Sequence, residues 1–218
     1  MQLTTPRPQA ILWDMDGTLI DQTEAIVSCY TAVLQEFGHA QPDSKKILRS
    51  LGGPMASTMA LFVDPSKLDA ACKRFRTCFP AHMFNGLEIL PGAQQCIEAF
   101  ANAAIPQAIL TNKHGATARK VSAHCNFDST IKVCFGNSDT EWSKPDPQLT
   151  DSVLEALNCV RSGTILVGDS PTDVATAQAV GIPCYGITTG AHTKEELDAA
   201  GAEATFPSLI DFLASVEL

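Results

Sequence analysis

Three short apolar runs constrain what this chain can fold into more than any other feature of it. Ala10 to Trp13, Gln107 to Leu110 and Thr164 to Val167 each end at polar, acidic or glycine residues, and each is followed by a helix-like stretch. A strand covered on both faces reads as a continuous apolar run, whereas a half-exposed strand alternates, so these runs are expected to be central parallel strands. Ile131 to Phe135 and Pro183 to Ile187 are further expected strands. Between them, Ala93 to Ala103 follows Pro91-Gly92, and Pro171 to Val180 opens with proline and stops at Gly181, which are helix boundaries. Strands alternating with such helices predict an α/β fold, a doubly wound parallel sheet. In such sheets ligands gather at the carboxyl ends of the strands, where Asp14, Thr111 and Asp169 fall.

One stretch interrupts the alternation. Roughly seventy residues between the first strand and Pro91 carry helical patterning and no convincing strand. Helices are expected over Asp21 to Phe37, Asp43 to Leu51 and Met55 to Phe62, with a helix pair or one long helix over Pro65 to Phe84. The predicted organisation is a core of residues 1–19 and 88–218, with residues 20–87 inserted as a small helical cap over the strand edge.

A chain of 218 residues suits one α/β domain with a small accessory domain. Its net charge of -9 makes nucleic acid and anionic membrane surfaces poor partners, while a small anion held by local positive groups stays allowed. No apolar run approaches the length of a spanning helix or a signal peptide, so a cytoplasmic location is expected, as a monomer or small homo-oligomer. Eight cysteines show neither a C-x-x-C pair nor zinc spacing, and reduced thiols are expected, with Cys72 and Cys78 a chance disulfide pair.

Four segments carry chemistry. Asp14 and Asp16, two residues apart at a strand end and followed by Gly17, suit a nucleophile and a general acid, although Asp and Gly also favour plain turns. Thr111 and Asn112, at a helix entrance, can hydrogen-bond a phosphoryl oxygen or can simply cap the helix. Lys144, held between Ser143 and Pro145, offers one fixed ammonium to a reacting anion, or is a surface lysine beside a proline turn. Asp169 offers a hard oxygen ligand of the kind Mg²⁺ prefers. Asp173, one turn into the next helix, can point back to the same ion or complement the helix N-terminus.

Taken together and in this order, Asp14-Met-Asp16-Gly-Thr18, Thr111, Lys144-Pro145 and Gly168-Asp169 with Asp173 resemble the four motifs of the haloacid dehalogenase superfamily. The Thr111-Asn112-Lys113 and Lys144-Pro-Asp-Pro147 wording is most similar to its phosphoglycolate-phosphatase-like members. The resemblance implies a Rossmann-like core and an Mg²⁺-dependent phosphomonoesterase of small phosphorylated metabolites. It implies Asp14 as nucleophile and metal ligand, and Asp16 as general acid/base with its carbonyl on the metal. Thr111, helped by Asn112, would hold the phosphoryl group, and Lys144 would orient Asp14. Asp169 would be the second carboxylate ligand and Asp173 its support. Members that split carbon–halogen bonds lack the acid at Asp16, so phosphate chemistry is expected.

Substrate choice is expected from the cap. Lys45, Lys46 and Arg49, ahead of Gly52-Gly53, are candidates for a substrate carboxylate or second phosphate, as are Lys113 and His114 near the phosphate site. Two other readings remain at this point: a sugar-phosphate mutase similar to β-phosphoglucomutase, and a catalytically idle phosphate-ligand-binding protein on the same fold.

Overall fold

The computed structural model describes residues 5–39 and 42–218. The chain enters on β1 (Ala10–Trp13) and crosses a short loop to β2 (Ile20–Asp21). Four helices follow: α1 (Thr23–Glu36), α2 (Ser44–Arg49), α3 (Met55–Ala60) and α4 (Leu68–Cys78). Single 3₁₀ turns flank α4 at Pro65–Lys67 and Phe79–Ala81, so the expected helix over Pro65 to Phe84 is one α-helix between two tighter turns. β3 (Glu88–Ile89) returns the chain to α5 (Ala93–Asn102), β4 (Gln107–Leu110), α6 (Gly115–His124) and β5 (Val133–Phe135). Then come α7 (Pro147–Ala156), β6 (Thr164–Gly168), α8 (Pro171–Val180), β7 (Cys184–Ile187), α9 (Lys194–Ala200), β8 (Ala204–Phe206) and α10 (Leu209–Ser215).

Six strands form one parallel sheet in the order β5-β4-β1-β6-β7-β8, the doubly wound arrangement expected. β1 lies at its centre, with Trp13 opposite Ile109 on one side and Val167 on the other. Successive side chains of a strand leave on opposite faces, and both faces of β1 are covered. Ile11 and Trp13 pack with Phe100, Phe127 and Phe212, while Leu12 packs on the other face with Leu149, Val153, Val174 and Leu197. The indole N–H of buried Trp13 donates to Gln107 Oε1 at 2.9 Å, and Gln107 donates in turn to the Ile97 carbonyl, so no polar atom of that pair is stranded.

β2 and β3 pair antiparallel in a separate two-residue ribbon, Ile20 opposite Ile89. The elements between them are all helices or 3₁₀ turns, and this layer owns a third apolar cluster that includes Ile26, Tyr30, Leu34, Ile47, Met59 and Phe75. Cys78 lies in this layer with its sulfur 3.1 Å from Cys29, not beside Cys72 as the chance pairing would have it; all three are free thiols. No helix among the described residues is long and apolar enough to cross a membrane.

Candidate active site

The ends of β1, β4 and β6 deliver the polar groups. Asp14 follows β1 directly and is anchored by its own N–H, which donates to the Val167 carbonyl of β6 at 2.9 Å. Its Oδ1 accepts from the Lys144 ammonium at 2.6 Å, and the same ammonium donates to Asp173 Oδ1 at 2.6 Å. Lys144 is only 1% exposed, so this is an interior cation clamped between two carboxylates. Burial alone would lower its pKa, but Asp14 and Asp173 raise it overall and keep it charged.

Asp173 is fully committed. Its second oxygen accepts from the N–H and hydroxyl of Ser170, closing a capping box at the start of α8. Asp169 is less so: Oδ1 accepts from the Thr18 hydroxyl at 3.1 Å, and Oδ2 accepts no hydrogen bond among the described residues. The Oδ2 of Asp14 is free in the same sense. Oxygens of Asp14, Asp169 and Asp173 lie within 4.8 Å of one another, all buried. Burial pushes Asp14 up to about 6 against the opposing pull of Lys144. Burial also raises Asp169 well above the usual carboxylate range, with Asp14 and Asp173 adding to the rise. With all three ionised, three carboxylates against one ammonium leave an excess of two negative charges in a buried cluster. That excess and the hard oxygen donors suit a divalent cation such as Mg²⁺.

Gly17 makes the approach possible. It sits at φ +87°, where side chains are strained, and a Cβ there would fall 2.5 Å from Asp169 Oδ2. Neither the Thr18 contact nor the Ser170 box was singled out from the sequence. Both had a local signal: Thr18 lies in the same loop as Asp14 and Asp16, and Ser170-Pro-Thr-Asp173 carries the spacing of a helix start.

Asp16 has its own cation. Lys113 donates to both of its oxygens, at 2.9 and 2.8 Å, and also to Gln22 Oε1 at the start of α1. Lys113, a candidate substrate contact in the sequence, is therefore engaged by Asp16. Thr111 Oγ1 accepts the Lys113 N–H at 3.2 Å, which leaves its hydroxyl hydrogen available to a ligand. Asn112 differs from expectation. Its carbonyl oxygen accepts from the Lys144 N–H, and its two amide hydrogens go to the carbonyls of Gly52 and Lys144, so its side chain has no donor left for a phosphoryl group.

A cavity of about 240 Å³ opens over Asp14, Asp16 and Thr111 and runs under the helical layer. A smaller one of about 140 Å³ borders Asp16 and Asp169 from the far side. His114 lines the larger cavity; Arg49 and Lys45 line neither. Arg49 instead reaches from α2 to α9, where it pairs with both oxygens of Glu196 and donates to the Ala191 carbonyl. That pairing holds the Glu196 carboxyl down at about 2. Lys45 is an exposed first-turn residue of α2, and Lys46 donates to the Leu61 carbonyl beside the Phe62 ring. Charge and position ahead of Gly52-Gly53 nominated these residues; for Arg49 a partner 147 residues along the chain takes up the guanidinium.

A parallel sheet whose carboxyl edge gathers acidic and basic side chains has its ligand site there, as α/β proteins of this class do, and comparison with known proteins makes the class specific. Residues 11–187 match the model of the haloacid dehalogenase-like hydrolases, and the chain belongs to that family. It is 28% identical over 210 residues to a phosphoglycolate phosphatase of Rhodospirillum rubrum, covering 91% of this chain and 87% of that protein. It is 25% identical to the pyrophosphatase PpaX of Halalkalibacterium halodurans, covering 79% and 80%. A solved haloacid dehalogenase-like hydrolase of Streptococcus pneumoniae superposes with a TM-score of 0.83 at 22% identity, over 98% of this chain and 99% of that one, which shows the shared fold.

Proposed function

We propose that this chain is a cytoplasmic, Mg²⁺-dependent phosphatase of small phosphorylated metabolites that works through an aspartyl phosphate on Asp14. The phosphatase names of its relatives agree with that reading. One observation carries the chemistry: Asp14 is buried, bonded through one oxygen to Lys144, and free at the other beneath the large cavity. A carboxylate oriented in this way can attack phosphorus, with Lys144 stabilising the charge that develops.

Asp14, Asp169 and the Asp16 carbonyl would hold the ion, with Asp173 positioning Lys144. When bound, the cation supplies charge neutralisation between Asp14 and the phosphate dianion. In the first step Asp14 Oδ2 bonds to phosphorus, the bond from phosphorus to the ester oxygen breaks, and Asp16 gives that oxygen a proton. In the second step Asp16 takes a proton from water, whose oxygen attacks phosphorus and frees both inorganic phosphate and the Asp14 carboxylate. Asp16 has both oxygens occupied by Lys113, so the pair opens when substrate enters and the ammonium passes to the phosphoryl group. Thr111 donates its hydroxyl hydrogen to the same group. The helical layer between β2 and β3 acts as the cap that closes the site and screens substrates.

The test is phosphate release from a panel of phosphomonoesters with and without Mg²⁺, beside Asp14→Asn. Activity is expected only with the metal and only with Asp14. Undiminished turnover by Asp14→Asn would remove the nucleophile assignment.

A further inference from the structure

The walls of the large cavity select for more than a phosphoryl group. Apolar side chains of the helical layer line it, among them Ile26 and Tyr30 from α1, Met55 from α3, Phe75 from α4 and Phe79 just after it. Three of their rings pack in series, Tyr30 to Phe75 at 4.5 Å between centroids and Phe75 to Phe79 stacked at 5.3 Å, and meet the cavity only through the strips of ring that this packing leaves uncovered, with the Lys113 ammonium 5.2 Å from the Phe79 centroid. An alcohol of two carbons has no surface with which to cover such a wall, and apolar wall left in contact with water contributes nothing to binding.

The charges of the cavity are equally uneven. Its two carboxylates, Asp14 and Asp16, are already paired with Lys144 and Lys113. Arg76 of α4 and Lys120 of α6 also line it, are exposed, and have no carboxylate partner among the described residues. They reach it from opposite layers, one from the insertion and one from the sheet's own helix. On a chain of net charge -9, this cavity mouth is positive.

We infer that the substrate is a phosphomonoester whose alcohol has an apolar, preferably aromatic, body ending in a second anionic group, the body resting on Tyr30, Phe75 and Phe79 and the anion held by Arg76 and Lys120. This rests on the phosphatase reading and adds the substrate class to it.

Four probes separate the parts: phenyl phosphate, 4-carboxyphenyl phosphate, 1,4-phenylene bisphosphate and phosphoglycolate. The expected kcat/KM is highest for one of the two compounds with both body and distal anion, the better of them telling carboxylate from phosphate, and lowest for phosphoglycolate. Arg76→Gln and Lys120→Gln should each lower the preference for that compound over phenyl phosphate about tenfold, the loss of one charge-assisted contact. Phe79→Ala should raise KM for phenyl phosphate and narrow its advantage over phosphoglycolate. Efficient turnover of phosphoglycolate with no gain from the ring, or preferences unmoved by both cation variants, would overturn the subsite while the phosphatase stands. Phosphate release from none of the four would remove the phosphatase reading and the subsite with it.

Discussion

The amide of Asn112 donates to the Gly52 carbonyl at 2.9 Å, across 60 residues of chain, while gripping the backbone of Lys144 on its other side. One side chain thus joins the loop between α2 and α3 to the segment that presents the buried ammonium. Replacing it with alanine strands two carbonyls and an N–H. The two groups on Lys144 are buried, and at about 1–3 kcal/mol for each buried group left unpaired Asn112→Ala should destabilise the protein by about 2–6 kcal/mol. Turnover should fall as well, because Lys144 loses its tether. Denaturant midpoints and steady-state rates measure both effects, and an unchanged midpoint would deny the tether its structural weight.

Asp16 and Lys113 should respond differently to mutation although they touch. Asp16→Asn removes the proton carrier and is expected to lower kcat by about 10²–10⁴. Lys113→Met frees Asp16 but removes a cation from the phosphate's path, so KM should rise more than kcat falls. Steady-state kinetics on one shared substrate separate the two, and a larger kcat loss in Lys113→Met than in Asp16→Asn would reverse the roles.

The raised carboxyls make metal binding depend on pH. Asp14, pushed up to about 6 by burial, and Asp169, raised by burial and its neighbours, hold protons more tightly folded than unfolded. For the metal-free protein this contribution to stability is complete below pH 3.8 and is lost as pH rises through about 6. A cation must displace those protons, so Mg²⁺ affinity should climb as pH rises through about 6, where Asp14 gives up its proton. Calorimetric titrations at pH 5 and pH 7.5 test this, with equal affinities the contrary result.

Two glycines separate strain from contact. Gly17 and Gly38 both have positive φ, but a Cβ meets the Asp169 carboxyl only at Gly17 and meets nothing within 4 Å at Gly38. Gly38→Ala should cost about 1 kcal/mol and leave the metal site intact. Gly17→Ala should additionally displace Asp169 and sharply weaken Mg²⁺ binding. Equal metal affinity in both variants would mean that Asp169 is not a ligand.

The central strands were readable because burial on both faces leaves a continuous apolar run, and β1, β4 and β6 begin where those runs do. β8 escaped because Ala204–Phe206 is a half-buried edge of three residues, and β2 and β3 because two residues hold no period. In the site, carboxylates at strand ends announced themselves through position. The duties of Asn112 and Arg49 did not, since their partners lie 60 and 147 residues away and only the folded chain brings them near. Local spacing reports which groups share an edge, and long-range pairing decides which of them remain free.

Four residues, Ile20 and Asp21 paired with Ile89 and Glu88, carry both crossings between the sheet and its helical layer. A single narrow doorway of this kind means that the layer can be lengthened, replaced or retuned without disturbing the strand order that aligns Asp14 with Asp169. On the proposed function, the part of the protein that screens substrates is thereby free to diverge faster than the part that transforms them.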